Sequence, residues 1–183
     1  ISLTQASVAI ESKSWRLPRR ISTQGVAVTT RPGKRTRPSL KQIDRPTEDV
    51  AIAWAEQHGY FDAILVDQQA APECAGSNLF FIHNGVLYTP NTHILLGITR
   101  SVVLQLAKLL LPIRFVTPTI TQLYQADECF LTRTGVGIAP IVKINRTVIG
   151  NGKPGPVTKQ LMQLFDEYVE IESQRTQKKY GKR

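Results

Sequence analysis

The chain has 183 residues, is 42% hydrophobic and 20% charged, and holds 12 Gly and 11 Pro, which suits one ordinary domain with its own core and excludes collagen-like, low-complexity and disulfide-stapled classes. The net charge of +9 is unevenly placed: residues 1–45 carry +8, residues 46–174 carry −4 and residues 175–183 carry +5. The body is mildly acidic between basic flanks, and those flanks lack interleaved aromatics apart from Trp15 and Tyr180, so solvated tails are expected rather than a nucleic-acid surface. Only Cys74 and Cys129 occur, which writes neither a disulfide framework nor a multi-cysteine zinc site, and no metal set is expected. A reducing compartment follows, the cytoplasm, with a plastid as the alternative. The most apolar window, Val102 to Val116, contains Gln105, Lys108, Pro112 and Arg114 and is too polar to span a bilayer. No signal-peptide pattern shows, and a first residue of Ile rather than Met leads us to expect a fragment of a longer product.

In chain order, residues 1–45 read mostly as loop, with one β segment at Gly25 to Val28 before the basic run Arg31 to Pro38. Residues 47–59 read as a capped helix: Thr47 opens it, Glu48 and Asp49 occupy the first turn, Val50, Ile52, Ala53 and Trp54 repeat along it, and Gly59 ends it. Ala63 to Val66 is a short apolar strand. Leu79 to His83 and Val86 to Tyr88 form a hairpin about Asn84-Gly85. A helix is expected from Thr99 to Pro112, because Val102, Val103, Leu106, Ala107, Leu109 and Leu110 recur at helical spacing. Then come a strand at Phe115 to Thr117, a short helix at Ile120 to Tyr124, and strands at Glu128 to Thr132 and Ile141 to Ile144. Asn145-Arg146 turns the chain into Val148-Ile149. A last helix from Val157 to about Ser173 should bury Leu161, Leu164, Phe165 and Tyr168. The interleaving predicts an α/β domain with a mixed sheet or barrel.

Five segments carry polar and glycine-rich chemistry: Leu40-Lys41-Gln42-Ile43-Asp44-Arg45; Glu73-Cys74-Ala75-Gly76-Ser77-Asn78-Leu79-Phe80; Leu96-Gly97-Ile98-Thr99-Arg100; Ala126 to Thr134; and Gly150 to Thr158. Lys41 alone reads as a solvated charge and Glu73, after Pro72, as a turn carboxylate. Gly97-Ile98-Thr99 opens a helix, whose first N–H groups and dipole favour an anion. Thr134 and Gly135 follow a strand as an ordinary turn. His58 sits near a helix end, and His83 and His93 read as surface histidines.

In this order and spacing the five segments resemble the fold-type IV pyridoxal-phosphate enzymes, namely branched-chain aminotransferase, D-amino acid aminotransferase and 4-amino-4-deoxychorismate lyase, over residues 25–168. The resemblance implies the barrel-like C-terminal domain of those enzymes, their small N-terminal domain being largely absent, and pyridoxal 5'-phosphate as cofactor. Lys41 aligns with the lysine that holds the cofactor and then moves the substrate proton. Glu73 aligns with the carboxylate facing the pyridine nitrogen. The Ile98 and Thr99 amides, with the Thr99 and Thr134 hydroxyls, align with the phosphate ligands, and the Gly135 and Val136 amides with those receiving the substrate carboxylate. Arg100 is given a structural role. The implied activity is transamination between an amino acid, branched-chain favoured, and a 2-oxo acid, by a homodimer. The alternatives are the lyase, which releases pyruvate, and a truncated non-catalytic relative.

Three departures accompany the resemblance. The segment from Thr89 to Leu95 is about a residue short, Arg133 stands where the family has a small residue, and Pro46 lies where some members place a tyrosine against the cofactor. The expected division is a remnant or interdomain segment at 1–24, a cofactor-binding domain at 25–173 and a basic tail at 174–183.

Overall fold

Strand residues that alternate between two faces build a closed sheet here. In a computed structural model describing residues 18–35, 37–41 and 44–180, the elements are α1 (Arg19–Gln24), β1 (Val26–Pro32), α2 (Pro46–Gln57), β2 (Ala63–Asp67), β3 (Ala70–Cys74), β4 (Asn78–His83), β5 (Val86–Thr89), α3 (Ile98–Ala107), β6 (Ile113–Phe115), α4 (Ile120–Tyr124), β7 (Glu128–Arg133), β8 (Gly137–Ile144), β9 (Thr147–Val148) and α5 (Pro156–Tyr180). Trp15, Gln42, Ile43 and most of the expected 1–24 segment lie outside the described residues. The ring β3-β2-β1-β8-β7-β4 closes because β4 returns to β3 through the pair Glu73 and Asn78. β5 and β6 extend the sheet beyond β4, and β9 pairs with β8. β1 runs parallel to β2 and β8, and the other ring pairings are antiparallel. The expected mixed sheet or barrel is therefore a barrel built from a mixed sheet.

The period-2 alternation along β4 shows how the core divides. Leu79 and Phe81 join Val28, Ile64, Cys129 and Leu131 in one cluster. Phe80 and Ile82, on the opposite face, join Phe130 and the helix residues Val103, Ala107 and Leu161 in a second. The Phe80 and Phe130 rings stack with centroids 4.7 Å apart. A third cluster seats Ala51 and Ala55 of α2 on Ala63 and Leu65 of β2. Asn84 and Gly85 both have positive φ, 50° and 72°, the geometry a two-residue hairpin of this sequence demands.

Several expectations need correction. The strand β3 is unsignalled in the sequence, because Ala70-Ala71-Pro72-Glu73-Cys74 has neither apolar alternation nor β-branched residues. The short basic helix α1 carries no amphipathic signal. α2 begins one residue before Thr47, with Pro46 in its first turn after Arg45, and no side chain caps it. Its buried residues are Glu48, Ala51 and Ala55, while Val50 is 66% exposed. α3 ends at Ala107 rather than at Pro112, leaving Leu109 exposed. β6 lies two residues earlier than expected. α5 continues past Ser173 to Tyr180, and of its four expected core residues Leu161 is fully buried while Leu164, Phe165 and Tyr168 are half-buried.

The start of α5 depends on a buried carboxylate. Glu128 accepts from Val157 N–H at 3.1 Å through Oε1, and from Thr158 N–H at 2.8 Å and Thr158 Oγ1 at 2.6 Å through Oε2. A side chain at Gly155 would collide with this carboxylate, so the glycine serves helix entry. Glu128→Ala would leave the fully buried Thr158 without its acceptor and should cost about 3 kcal/mol in urea unfolding, because charge-assisted bonds at a helix start are lost together. Glu128→Gln, which keeps an acceptor, should lose less.

Candidate active site

The seam where the barrel closes creates the cavity. Glu73 is the penultimate residue of β3, beside Asn78 at the start of β4, and Thr132 and Arg133 end β7, whose residue Thr132 pairs with Asn78. These strand ends, the Gly97 turn into α3 and the loop bearing Lys41 enclose a cavity of about 290 Å³. Of the residues singled out from sequence, Lys41, Glu73, Thr99 and Thr134 line it together. Ile98 is 80% exposed in the first turn of α3 and does not line it. Gly135 and Val136 line a neighbouring cavity of about 480 Å³, whose walls share Thr99 and Thr134.

Glu73 is 2% exposed. Its Oε1 accepts from Arg35 Nε at 2.8 Å and its Oε2 from Leu95 N–H at 3.2 Å. Arg35 also pairs with Glu48 Oε1 at 3.2 Å, and both of those side chains are almost fully buried. Burial is the main force raising the Glu73 carboxyl above its usual range; the Arg35 guanidinium and the Leu95 N–H oppose it, and Glu48 adds to it. Sequence reading missed this set. Arg35 lay in a basic run read as loop, and Glu48 looked like a dipole-favouring carboxylate in a helix's first turn. No linear pattern joins residues 35, 48 and 73.

Asp62 was also missed, because nothing marks a lone carboxylate before an apolar strand. It is 1% exposed and accepts from Ala63 N–H at 2.7 Å, Gly76 N–H at 3.2 Å and Ser77 Oγ at 2.7 Å, which fixes the Ala75 to Ser77 wall of the cavity. Burial raises its carboxyl as well, against those three donors and the nearby Arg133.

The start of α3 forms another part of the lining. Gly97 stands at its N-terminus with no side-chain cap, so the first amides of the helix keep their donor capacity. A side chain at Gly97 would strike Asn78 Oδ1, and Asn78 in turn holds the approach by donating from Nδ2 to Leu95 O at 2.6 Å. Thr132 Oγ1 is buried with no hydrogen-bond partner among the described residues. Arg100 points away, donating to Pro90 O at 2.6 Å and Asn91 Oδ1 at 3.1 Å, the structural role read from sequence. Arg45, beside Pro46, lines the cavity and pairs with Asp49 at 2.9 Å.

Other reactive groups lie elsewhere. Cys74 and Cys129 are buried free thiols, and burial pushes both well above the ordinary thiol range, which leaves them inert as nucleophiles. His83 lies 3.8 Å from Asp127 at the surface hairpin, and His58 bonds Trp54 O at 2.8 Å at the end of α2. No three His, Cys, Asp or Glu among the described residues cluster as a metal site.

The buried pair yields a pH-dependent prediction. A carboxyl whose folded pKa is raised contributes stability that is full below its ordinary value and is lost as pH rises through the raised one. Arg35→Met removes the opposing cation and leaves Glu48 and Glu73 buried together. Relative to the parent chain, urea unfolding should show a loss of about 3–5 kcal/mol at pH 8 and a clearly smaller loss at pH 5, where Glu73 takes a proton more readily. Equal losses at both would mean that Arg35 acts through packing alone.

Residues 2–144 match the family Amino-transferase class IV. A probable branched-chain-amino-acid aminotransferase of Aquifex aeolicus is 43% identical over 125 residues, covering 66% of this chain and 40% of that protein. A D-alanine aminotransferase of Listeria monocytogenes is 35% identical over 148 residues, covering 79% and 51%. Among solved structures, a branched-chain amino acid aminotransferase (T.th.) complexed with N-(5'-phosphopyridoxyl)-L-glutamate superposes with a TM-score of 0.74 at 32% identity, covering 81% of this chain and 53% of that one. The chain thus spans about half the length of the relatives it matches. A closed barrel whose seam gathers Lys41, Glu73, Thr99 and Thr134, carried by a sequence this similar, places the chain in the class IV aminotransferase family.

Proposed function

We propose that this chain forms the cofactor-holding part of a pyridoxal-phosphate-dependent aminotransferase that exchanges an amino group between an amino acid, branched-chain favoured, and a 2-oxo acid. The observation that carries this reading is the convergence of Lys41, Glu73, Thr99 and Thr134 on one cavity beside the start of α3. The donor chemistry fits the cofactor at both ends. An anionic phosphate matches the free amides of the helix start and the unpartnered, buried Thr132 Oγ1. A protonated ring nitrogen matches the buried set of Glu48, Arg35 and Glu73, which carries one negative charge in excess when ionised.

When bound, pyridoxal 5'-phosphate supplies an electron-withdrawing ring that accepts the electron pair left when a substrate α-proton departs. Lys41 holds the cofactor through Nζ and, once displaced by substrate, takes that proton and returns it as a positioned amine. Glu73 keeps the ring nitrogen protonated. Its two oxygens offer about four acceptor sites, of which Arg35 and Leu95 use two. The Thr99 amide and the Thr99 and Thr134 hydroxyls bind the phosphate, and Ile98, whose side chain is exposed, contributes through its backbone amide alone at the uncapped start of α3. The Gly135 amide, in the adjoining cavity, orients the substrate carboxylate; the Val136 N–H, which donates to Arg133 O at 3.0 Å, is committed to the turn and holds Gly135 in place. The reading takes residues 25–173 as the cofactor-binding unit between flanks at 1–24 and 174–183, and includes homodimeric assembly in the cytoplasm. No helix among the described residues is long and apolar enough to cross a membrane.

The test is to load the full-length protein with pyridoxal 5'-phosphate and follow amino transfer from leucine to 2-oxoglutarate. Lys41→Ala should lower kcat at least about 1000-fold, the scale on which positioned proton transfer operates. Pyruvate released from aminodeoxychorismate without an amino acceptor, with no transfer from leucine, would replace this reading by the lyase.

A further inference from the structure

Arg133 ends β7 between Thr132 and Thr134, and all three line the seam cavity. Its guanidinium stands over the Gly76 wall, where a β-carbon would come within 3.2 Å of Nη1. The other cavity arginines are committed: Arg35 to Glu73 and Glu48, and Arg45 to Asp49. Arg133 differs. Among the described residues its close contact is the Phe61 ring, 5.2 Å from the guanidinium carbon, and no hydrogen bond or ion pair engages its donors. Arg133 helps to offset the buried charge of Asp62, but the hydrogen bonds of that carboxylate come from Ala63, Gly76 and Ser77. Next to it Thr132, 2% exposed, buries a hydroxyl oxygen with no partner. A half-buried cation with unspent donors beside an unsatisfied buried hydroxyl is a site for an anion, since each gains a hydrogen-bond partner when one enters.

Resting on the cofactor reading above, we infer that Arg133 is an anion-binding residue of this cavity, gripping a phosphate or carboxylate group of the bound ligand together with Thr132 and Thr134. The Phe61 ring beneath the guanidinium carbon keeps the cation on this side of the cavity. The two sources of the anion, cofactor phosphate and substrate carboxylate, share this chemistry and are separable by ligand.

The experiment titrates the full-length protein and its Arg133→Ala and Arg133→Lys variants with pyridoxal 5'-phosphate, pyridoxal and succinate, by calorimetry. In Arg133→Ala, a loss of at least about tenfold for pyridoxal 5'-phosphate with pyridoxal unchanged, partly restored in Arg133→Lys, assigns the contact to phosphate. The same loss for succinate, with pyridoxal 5'-phosphate unchanged, assigns it to a carboxylate. Equal weakening of pyridoxal 5'-phosphate and pyridoxal would overturn the inference, because it would reduce Arg133 to a wall of the cavity, and so would unchanged affinity for all three. If Arg133→Ala lacks the parent melting transition, Arg133→Gln is read in its place. An Arg133-dependent affinity for succinate in a protein that does not bind pyridoxal 5'-phosphate would support this inference while removing the cofactor reading.

Discussion

A carboxylate at the closing seam of a barrel is the constraint around which this fold is arranged. Glu73 pairs with Asn78 to complete the ring, and at 2% exposure its charge needs compensation from within the protein. Arg35 supplies it and is held from its other side by Glu48 of α2, so strand β3, the segment after β1 and the first turn of α2 are tied by one buried charge set. Such a set is weak evidence of net stability, since desolvation offsets the attraction. Its stronger consequence is orientation. It fixes one negative group in the lining of a cavity that also takes in the positive start of a helix.

The same seam explains why a buried carboxylate and a helix start share one small cavity. Asn78, which completes the ring, also anchors Leu95 and crowds Gly97, so barrel closure and the approach of α3 are a single packing problem. The wall between them, Ala75 to Ser77, is pinned by Asp62 from β2's leading edge. Cation, anion and helix dipole are therefore placed by backbone elements whose positions the core determines, which is the preorganisation a charged ligand requires.

Much of this was legible in the linear sequence because the signals were local. The Asn84-Gly85 hairpin, the α4 turn, β7 and the helix opened by Gly97 follow from turn chemistry and periodicity, and five spaced segments pointed to the cavity residues Lys41, Glu73, Thr99 and Thr134. What stayed hidden was non-local or lacked periodicity. β3 owes its strand state to two neighbours rather than to the propensity of Ala-Ala-Pro-Glu-Cys. The partnership of residues 35, 48 and 73 exists only after the ring closes, and Asp62 acquires meaning only when Gly76 and Ser77 fold back onto it. Val50 and Leu109, apolar yet exposed, show the converse: helical spacing names a face without saying what will cover it.

The proposed function stands on Lys41 as the covalent anchor of a cofactor in the seam cavity. Its most direct test is to incubate the purified protein with pyridoxal 5'-phosphate, reduce with borohydride and locate the modified lysine by peptide mass. One dominant adduct is expected, on Lys41, absent from Lys41→Ala while the other lysines stay unmodified. An adduct spread over surface lysines, or one that persists at the same level in Lys41→Ala, would contradict it.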